Sequence, residues 1–395
     1  MSLQKDQKTN IFMRKMVLIL GVSIALGAGG SFSPGLPVIL AEFAGTPNAA
    51  FWVSMIVTLP ALFVVIGGPI SGYLADRVGR KPLLVFSLLL GGISGCSGVF
   101  LDTLTPLLVS RAVVGLSMAG ITTATNALIA DYFTGQQRSN LMGLQSAFLG
   151  LSVVVFLPLG GFLADIDWHY AFLSYAPLLL LFPLALISIY EPVKISHQDV
   201  DVKETRLNLN SVKIYILVSV FIFQFAFITL PVFLAYFLGA LLNTGGTQVG
   251  LLSAVSGLFS FISGLLYGRI IRGVGFKYMA VASFLLTGAG FLILGLGTSW
   301  FAVVIGLILL GICLGAVTAN LNTWLADQFS IHVRGRANGI FVTLFYLGQF
   351  VSPFLFTPIA NIKSYSFIYL LCAGIVSILG LAALFVQPNA AVLSE

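Results

Sequence analysis

The chain has 395 residues, 58% of them hydrophobic and only 8% charged, with a mean hydropathy of +1.05. A soluble domain carries about 25% charged residues, so these proportions exclude a water-soluble globule and make lipid the principal solvent. The balance of 19 Lys+Arg against 13 Asp+Glu gives a net charge of +6, and the placement of those charges along the chain removes nucleic acid as its explanation.

One helical crossing takes about 20 apolar residues, and a loop brings this to roughly 33 per pass, which predicts around 12 passes. Residues 1–15 are polar and basic, and the apolar stretch that follows to Ala41 has no small-residue cleavage signal, so it reads as an uncleaved first span. In chain order the apolar runs predict spans at 16–41, 50–75, 82–101, 105–131, 139–164, 168–190, 213–241, 247–271, 278–297, 300–327, 336–360 and 364–386. Each run is continuously apolar, whereas barrel strands are about 10 residues long with alternating polarity, so the expected fold class is an all-α integral membrane protein of 12 transmembrane helices. Cys96, Cys313 and Cys372 lie inside apolar runs, and His169, His197 and His332 in separate polar loops. Neither a disulfide framework nor a metal site is expected from them.

With both termini placed in the cytoplasm, the inner segments hold every Lys and Arg except Lys363, in an outer loop, and Arg111, inside a span. The outer loops carry Glu42, Asp102, Asp165 and Asp167 instead. This is a positive-inside pattern, and the net +6 faces the anionic inner leaflet. The chain also repeats itself at an offset of 196, which pairs Gly72 with Gly268, Gly79 with Gly275, Lys81 with Lys277, Gly92 with Gly288, Gly115 with Gly311, Asn126 with Asn322, Asp131 with Asp327, Arg138 with Arg334 and Gly143 with Gly339. The expected organisation is a six-helix bundle over 1–190, a cytoplasmic linker over 191–212 and a second six-helix bundle over 213–395, the two bundles running parallel about an axis along the membrane normal.

The tract Gly72-Tyr73-Leu74-Ala75-Asp76-Arg77-Val78-Gly79-Arg80-Lys81-Pro82 lies between spans two and three on the inner side. It resembles the signature of the major facilitator superfamily, G-x-L-a-D-r-x-G-r-k. Gly72 is expected to let span two pass close to a neighbour, and Gly79 to permit the tight turn. The resemblance implies that Asp76 caps the N-terminus of helix eleven near Gly335 to Asn338, where a carboxylate meets unpaired N–H groups. It also implies that Arg80 pairs with Asp131, and that these residues with Arg77 and Lys81 form a cytoplasmic gate joining the two halves while the outside is open. Read without the resemblance, the same charges are an ordinary positive-inside loop. The second copy keeps Gly268 and Gly275 but has Arg269, Arg272 and Lys277 and no acid, so the lock is expected to be asymmetric.

Arg111 begins Arg111-Ala112-Val113-Val114-Gly115, which is similar to the family's fourth-helix pattern R-x-x-x-G. A basic residue at membrane depth costs about 2.5 to 3.5 kcal/mol on insertion scales and is a functional candidate by default. The resemblance implies proton coupling or substrate contact; the structural alternative is a guanidinium that snorkels outward or bonds helix-one carbonyls. In helix five, Gly150 followed by Pro158, Gly160 and Gly161 resembles the antiporter motif of the family's 12-helix bacterial drug and small-molecule exporters, with Leu157 standing where that motif has glycine. Close packing of small residues explains the same tract. Helix one carries Gly27-Ala28-Gly29-Gly30-Ser31-Phe32-Ser33-Pro34, a bendable mid-span stretch of the kind that lines substrate sites.

Counting inward from the span ends places Ser31, Gln224, Phe227, Phe259, Asn320, Tyr346 and Gln349 towards mid-depth as candidate substrate-binding residues. Family architecture implies a cavity among helices 1, 4, 7 and 10, with 2, 5, 8 and 11 as rocking supports. Uncharged polar and aromatic groups suit a bulky, largely apolar or cationic organic molecule. No Asp or Glu lies in the middle third of a span, although many exporters of the resembled branch hold one there, so a peripheral acid such as Glu42 or Asp131 is left to titrate, coupled to Arg111, or the coupling differs. The function expected is export of small organic molecules across the cytoplasmic membrane by alternating access, coupled to protons, by a monomer without cofactor or metal. The alternative is uptake or facilitated diffusion of a polar metabolite such as a sugar. An enzyme is not expected, because the sequence offers no nucleophile and base set, metal cluster or phosphate loop.

Overall fold

A computed structural model describes residues 2–192, 210–329 and 333–386. Lys194, His197, Lys203 and Arg206 of the expected linker, and His332, lie outside the described residues. Among the described residues 12 helices are long and apolar enough to cross a membrane. In chain order they are span 1 (Phe12–Glu42), span 2 (Ala49–Arg77), span 3 (Arg80–Phe100), span 4 (Leu104–Tyr132), span 5 (Asn140–Ile166) and span 6 (Trp168–Ser188), then span 7 (Ser211–Leu242), span 8 (Gly246–Val274), span 9 (Phe276–Leu296), span 10 (Trp300–Asp327), span 11 (Arg334–Ile362) and span 12 (Tyr365–Phe385). Helices are the outcome because hydrocarbon offers backbone N–H and C=O groups no partner, and a helix satisfies them within the segment.

The turns between spans use residues that tolerate left-handed backbone. Gly79 (φ 111°) joins span 2 to span 3 and Gly275 (φ 77°) joins span 8 to span 9, at equivalent positions of the repeat. Asn48 (φ 57°) and Asn243 (φ 53°) precede spans 2 and 8, and asparagine is among the few side chains that accept this region. Spans 7, 10 and 12 start on side-chain caps, with Asn210 accepting from Lys213 N–H, Ser299 from Ala302 N–H and Ser364 from Phe367 N–H. Span 1 is broken as its glycines suggest. Its first helix ends at Gly30, a 3-10 turn covers Ser33–Gly35, and a second helix runs over Leu36–Glu42. Span 7 has the equivalent break at Ile228, between helices ending at Phe227 and starting at Thr229.

The chain forms two compact units. The first comprises Met1–Lys194, Leu234–Gly239 and Asn243–Ala254, and the second Ile195–Phe233, Ala240–Leu242 and Val255–Glu395. Parts of spans 7 and 8 belong to the first unit. Within the first unit span 1 packs on span 5, span 2 on span 4 and span 3 on span 6; within the second, span 7 packs on span 11 and span 9 on span 12. Adding six to each member of the first and third pairs gives the two pairs of the second unit. Gly115 of span 4 faces the Pro60 backbone of span 2, and Gly311 of span 10 faces the Ser256 backbone of span 8, so a Cβ at either glycine would strike main-chain atoms. The repeated glycine is therefore a helix-crossing point used twice.

Backbone cannot yield as a side-chain tip can, and overpacking typically costs about 1–3 kcal/mol or more. Gly115→Val and Gly311→Val should each lower the thermal unfolding midpoint of the detergent-solubilised protein by several degrees. Gly339→Ala, where a Cβ meets open space, should not lower it.

Candidate functional site

Several charged groups of the first unit gather at the ends of one helix. The α-helix of span 3, Arg80–Cys96, begins directly after the Gly79 turn. Its first N–H groups have no partner within the helix, and Glu191 supplies one: Oε1 accepts from Arg80 N–H and Oε2 from Lys81 N–H, each at 2.8 Å. A Cβ on Gly79 would lie 2.8 Å from this carboxylate, so the signature glycine serves the carboxylate's approach as well as the turn. The Arg80 guanidinium forms an ion pair with Asp131 at the end of span 4. Lys81 Nζ donates to the Leu186 carbonyl at 2.9 Å, and Arg77 lies over the Tyr73 ring at 4.9 Å. Tyr132 stacks on Tyr190 and donates to its carbonyl. Arg14 of span 1 covers the other ring of the group, 4.6 Å from the Tyr190 centroid, and donates to Ser188 O at 2.7 Å.

Arg111 sits at the opposite end of the same helix and is fully buried. Its Nη2 donates to Ser94 O at 3.3 Å and Gly95 O at 3.1 Å, carbonyls of the last helical turn, where the backbone tightens into the 3-10 segment Ser97–Phe100. Nε donates to Ser110 Oγ at 3.3 Å. The guanidinium carbon lies 4.7 Å from the Phe172 ring, 5.1 Å from Tyr175 and 5.6 Å from Phe32. A cation among aromatic faces at the negative end of a helix dipole is stabilised without a carboxylate. Arg111 neither snorkels nor bonds span 1 carbonyls; span 1 contributes the Phe32 ring, and the hydrogen bonds go to span 3.

The second unit builds the corresponding region from different chemistry. Phe276 stands where the repeat places Arg80, and its ring stacks on Trp324 at 6.3 Å with 9° between the planes. Arg272 stands where the first copy has Asp76 and bonds its own helix at Gly268 O, 3.1 Å away. Each unit has a similar contact: Lys15 lies over Phe133 at 5.5 Å, and Lys213, two positions past the repeat equivalent of Lys15, over Phe329 at 4.2 Å.

Several expectations for individual residues are corrected. Gly72 has open space where a Cβ would sit among the described residues. Arg80 and Asp131 both belong to the first unit, so their ion pair does not join two halves. Ser31 is fully buried and its hydroxyl is taken by Ala28 O at 2.8 Å and Ala171 O at 3.4 Å, which leaves it no free donor for a substrate. Asn320 is fully buried and donates to Phe276 O at 3.0 Å while accepting from Tyr267 Oη at 3.4 Å. It braces the start of span 9 and does not stand at mid-depth.

The remaining pocket candidates all lie in the second unit. Gln349 of span 11 donates to Gln224 of span 7 at 3.0 Å. Phe227 is 5.5 Å from Phe223, Tyr346 packs edge-on against Phe345 at 5.2 Å, and Phe259 is half-buried on span 8. In span 5 the motif residues are packing elements. A Cβ on Gly160 would strike the Ser31 backbone, and one on Gly161 the Gly246 backbone; Pro158 lies against Gly250, whose Cβ would come within 2.8 Å of the Pro158 Cα.

The family model described as Major Facilitator Superfamily matches residues 18–216 and again 216–394. The chain belongs to that superfamily. This facilitator is 28% identical over 371 residues to the class H tetracycline resistance protein of Pasteurella multocida, covering 90% of each chain. It is 25% identical over 389 residues to the multidrug resistance protein MdtG of Escherichia fergusonii, covering 94% of each. Among solved structures, a D-xylose-proton symporter superposes with a TM-score of 0.78 at 21% identity, over 95% of this facilitator and 97% of that chain; at that identity the likeness concerns the fold. The facilitator is thus a multi-pass membrane transporter, and such transporters are not enzymes.

Losing an N-terminal cap costs about 0.5–2 kcal/mol. Glu191→Ala should therefore lower the stability of the purified transporter by about 1 kcal/mol in thermal unfolding, with Glu191→Gln less affected. Arg111→Met takes this donor from Gly95 O, while Ser94 O keeps the Ser97 hydroxyl at 2.8 Å, a loss of about 1–3 kcal/mol for the one group left unsatisfied. Arg111→Lys keeps the charge but not the fork, so its unfolding midpoint should fall between that of wild type and Arg111→Met.

Proposed function

We propose that this transporter exports small organic molecules from the bacterial cytoplasm by alternating access, in exchange for protons. The observation that carries the reading is similarity over about nine tenths of the chain to proteins named for tetracycline and multidrug resistance. The span 5 tract Pro158, Gly160 and Gly161 supports it. The end of each unit rich in Lys and Arg is taken as cytoplasmic, with both termini there, following the positive-inside pattern. The chain works as two six-helix bundles, 1–190 and 213–395, joined by a linker over 191–212, and as a monomer.

In this reading Gly72, Asp76, Arg77, Gly79, Arg80, Lys81 and Asp131 form the cytoplasmic gate. The substrate is held mainly by neutral groups. Gln224 and Gln349 supply a paired amide donor and acceptor, and Phe227, Phe259 and Tyr346 supply aromatic surface, which suits a bulky, largely apolar molecule carrying a few polar groups. Arg111 acts on span 3 and does not touch the substrate.

Purified transporter reconstituted into liposomes under an imposed pH gradient tests the reading. Tetracycline and a cationic dye should accumulate on the acidic side, and a protonophore should abolish the accumulation. Asp76→Asn should reduce the initial rate at least tenfold. Accumulation of neither compound, or rates insensitive to both the protonophore and Asp76→Asn, would sink it.

A further inference from the structure

Span 5 ends in a carboxylate that no part of the foregoing uses. Asp165 lies one turn past Gly161, and its two oxygens reach the first residues of span 8: Oδ1 accepts from Gly246 N–H at 2.6 Å, while Oδ2 accepts from Thr247 N–H at 2.8 Å and from Thr247 Oγ1 at 2.5 Å. The start of a helix presents unpaired N–H groups and the positive end of the dipole, so an ionised carboxylate there is held by charge as well as by hydrogen bonds.

The contact continues along both helices at four-residue intervals. Leu157, Gly161 and Asp165 fall on one face of span 5, and Gly246 and Gly250 on one face of span 8. A Cβ on Gly161 would strike the Gly246 carbonyl, and one on Gly250 the Leu157 carbonyl. A second bond at the same end lies in span 7, where Tyr236 Oη donates to Leu36 O of span 1 at 3.0 Å. Leu234–Gly239 and Asn243–Ala254 belong to the first unit with span 5, while span 8 beyond Ala254 belongs to the second.

We infer that Asp165 is an outer latch: its carboxylate clamps the start of span 8 onto the end of span 5, and the transport cycle must break that clamp to open the outer side. The inference rests on the alternating-access reading above. Asp165 does at the outer face, from span 5 to span 8, what the family resemblance implies for Asp76 at the inner face. The glycines make the latch possible, because only backbone-to-backbone approach brings a side chain as short as aspartate within reach of Gly246 and Thr247. The exposed carboxylate is open to water as soon as the helices part, so release carries no penalty of a stranded buried charge.

Spin labels on Phe162→Cys and Leu251→Cys, both exposed (53% and 56%) and outside the clamp, report the separation of spans 5 and 8 in a background with Cys96, Cys313 and Cys372 changed to Ser. Wild type should populate mainly the short distance. Asp165→Ala should lower the ratio of short to long distance about tenfold, the factor that corresponds to about 1.4 kcal/mol. Asp165→Asn, isosteric and uncharged, should lower it by a smaller factor, and adding Asp76→Asn to Asp165→Ala should move it back towards wild type. An unchanged distribution in both Asp165 variants would overturn the latch. The distances need neither substrate nor proton gradient, so a shift without export would leave the latch standing and count against the exporter reading alone.

Discussion

Charge at helix termini is the interaction on which this structure depends. A chain with 8% charged residues has few ionic groups to place in a medium that penalises each of them. Helix ends are where that medium can accept them, because unpaired N–H groups and carbonyls carry partial charge and require partners. The span 3 helix takes Glu191 at its N-terminus and Arg111 at its C-terminus. Span 8 takes Asp165. These contacts do not require a buried counter-charge.

The two units solve the same folding problem with different side chains. Gly115 of span 4 against span 2 and Gly311 of span 10 against span 8 are one helix crossing made twice, and the breaks in spans 1 and 7 fall at matching positions of the repeat. Around these shared points the polar work divides. The first unit holds the ion pair of Arg80 and Asp131, the Arg111 cage and the carboxylate caps. The second replaces the ion pair region with Phe276 stacked on Trp324 and holds the amide pair Gln224 and Gln349. The charged contacts and the neutral amide pair therefore fall in different repeats.

Sequence reasoning located the signature loop, the buried arginine and the span 5 glycines, because each is a local pattern or a charge where hydropathy forbids one. For Ser31 and Asn320, counting residues from a span end gave depth but no azimuth, and both side chains bond neighbouring backbone. Glu191 read as the first residue of a linker. Its partners, Arg80 and Lys81, are more than a hundred positions away, and no periodicity connects them. The break in span 7 lacked the glycines that marked span 1, although Thr229 and Pro231 stood at the site.

The sequence by itself determined the number and limits of the spans, the repeat, and which residues could be charged, because burial in lipid is a property of each segment taken alone. Only the tertiary structure decided what those charges do. Whether a carboxylate caps a helix or hangs in a loop depends on which terminus lies within 3 Å of it, and that distance is set by glycine crossings between segments far apart in the chain.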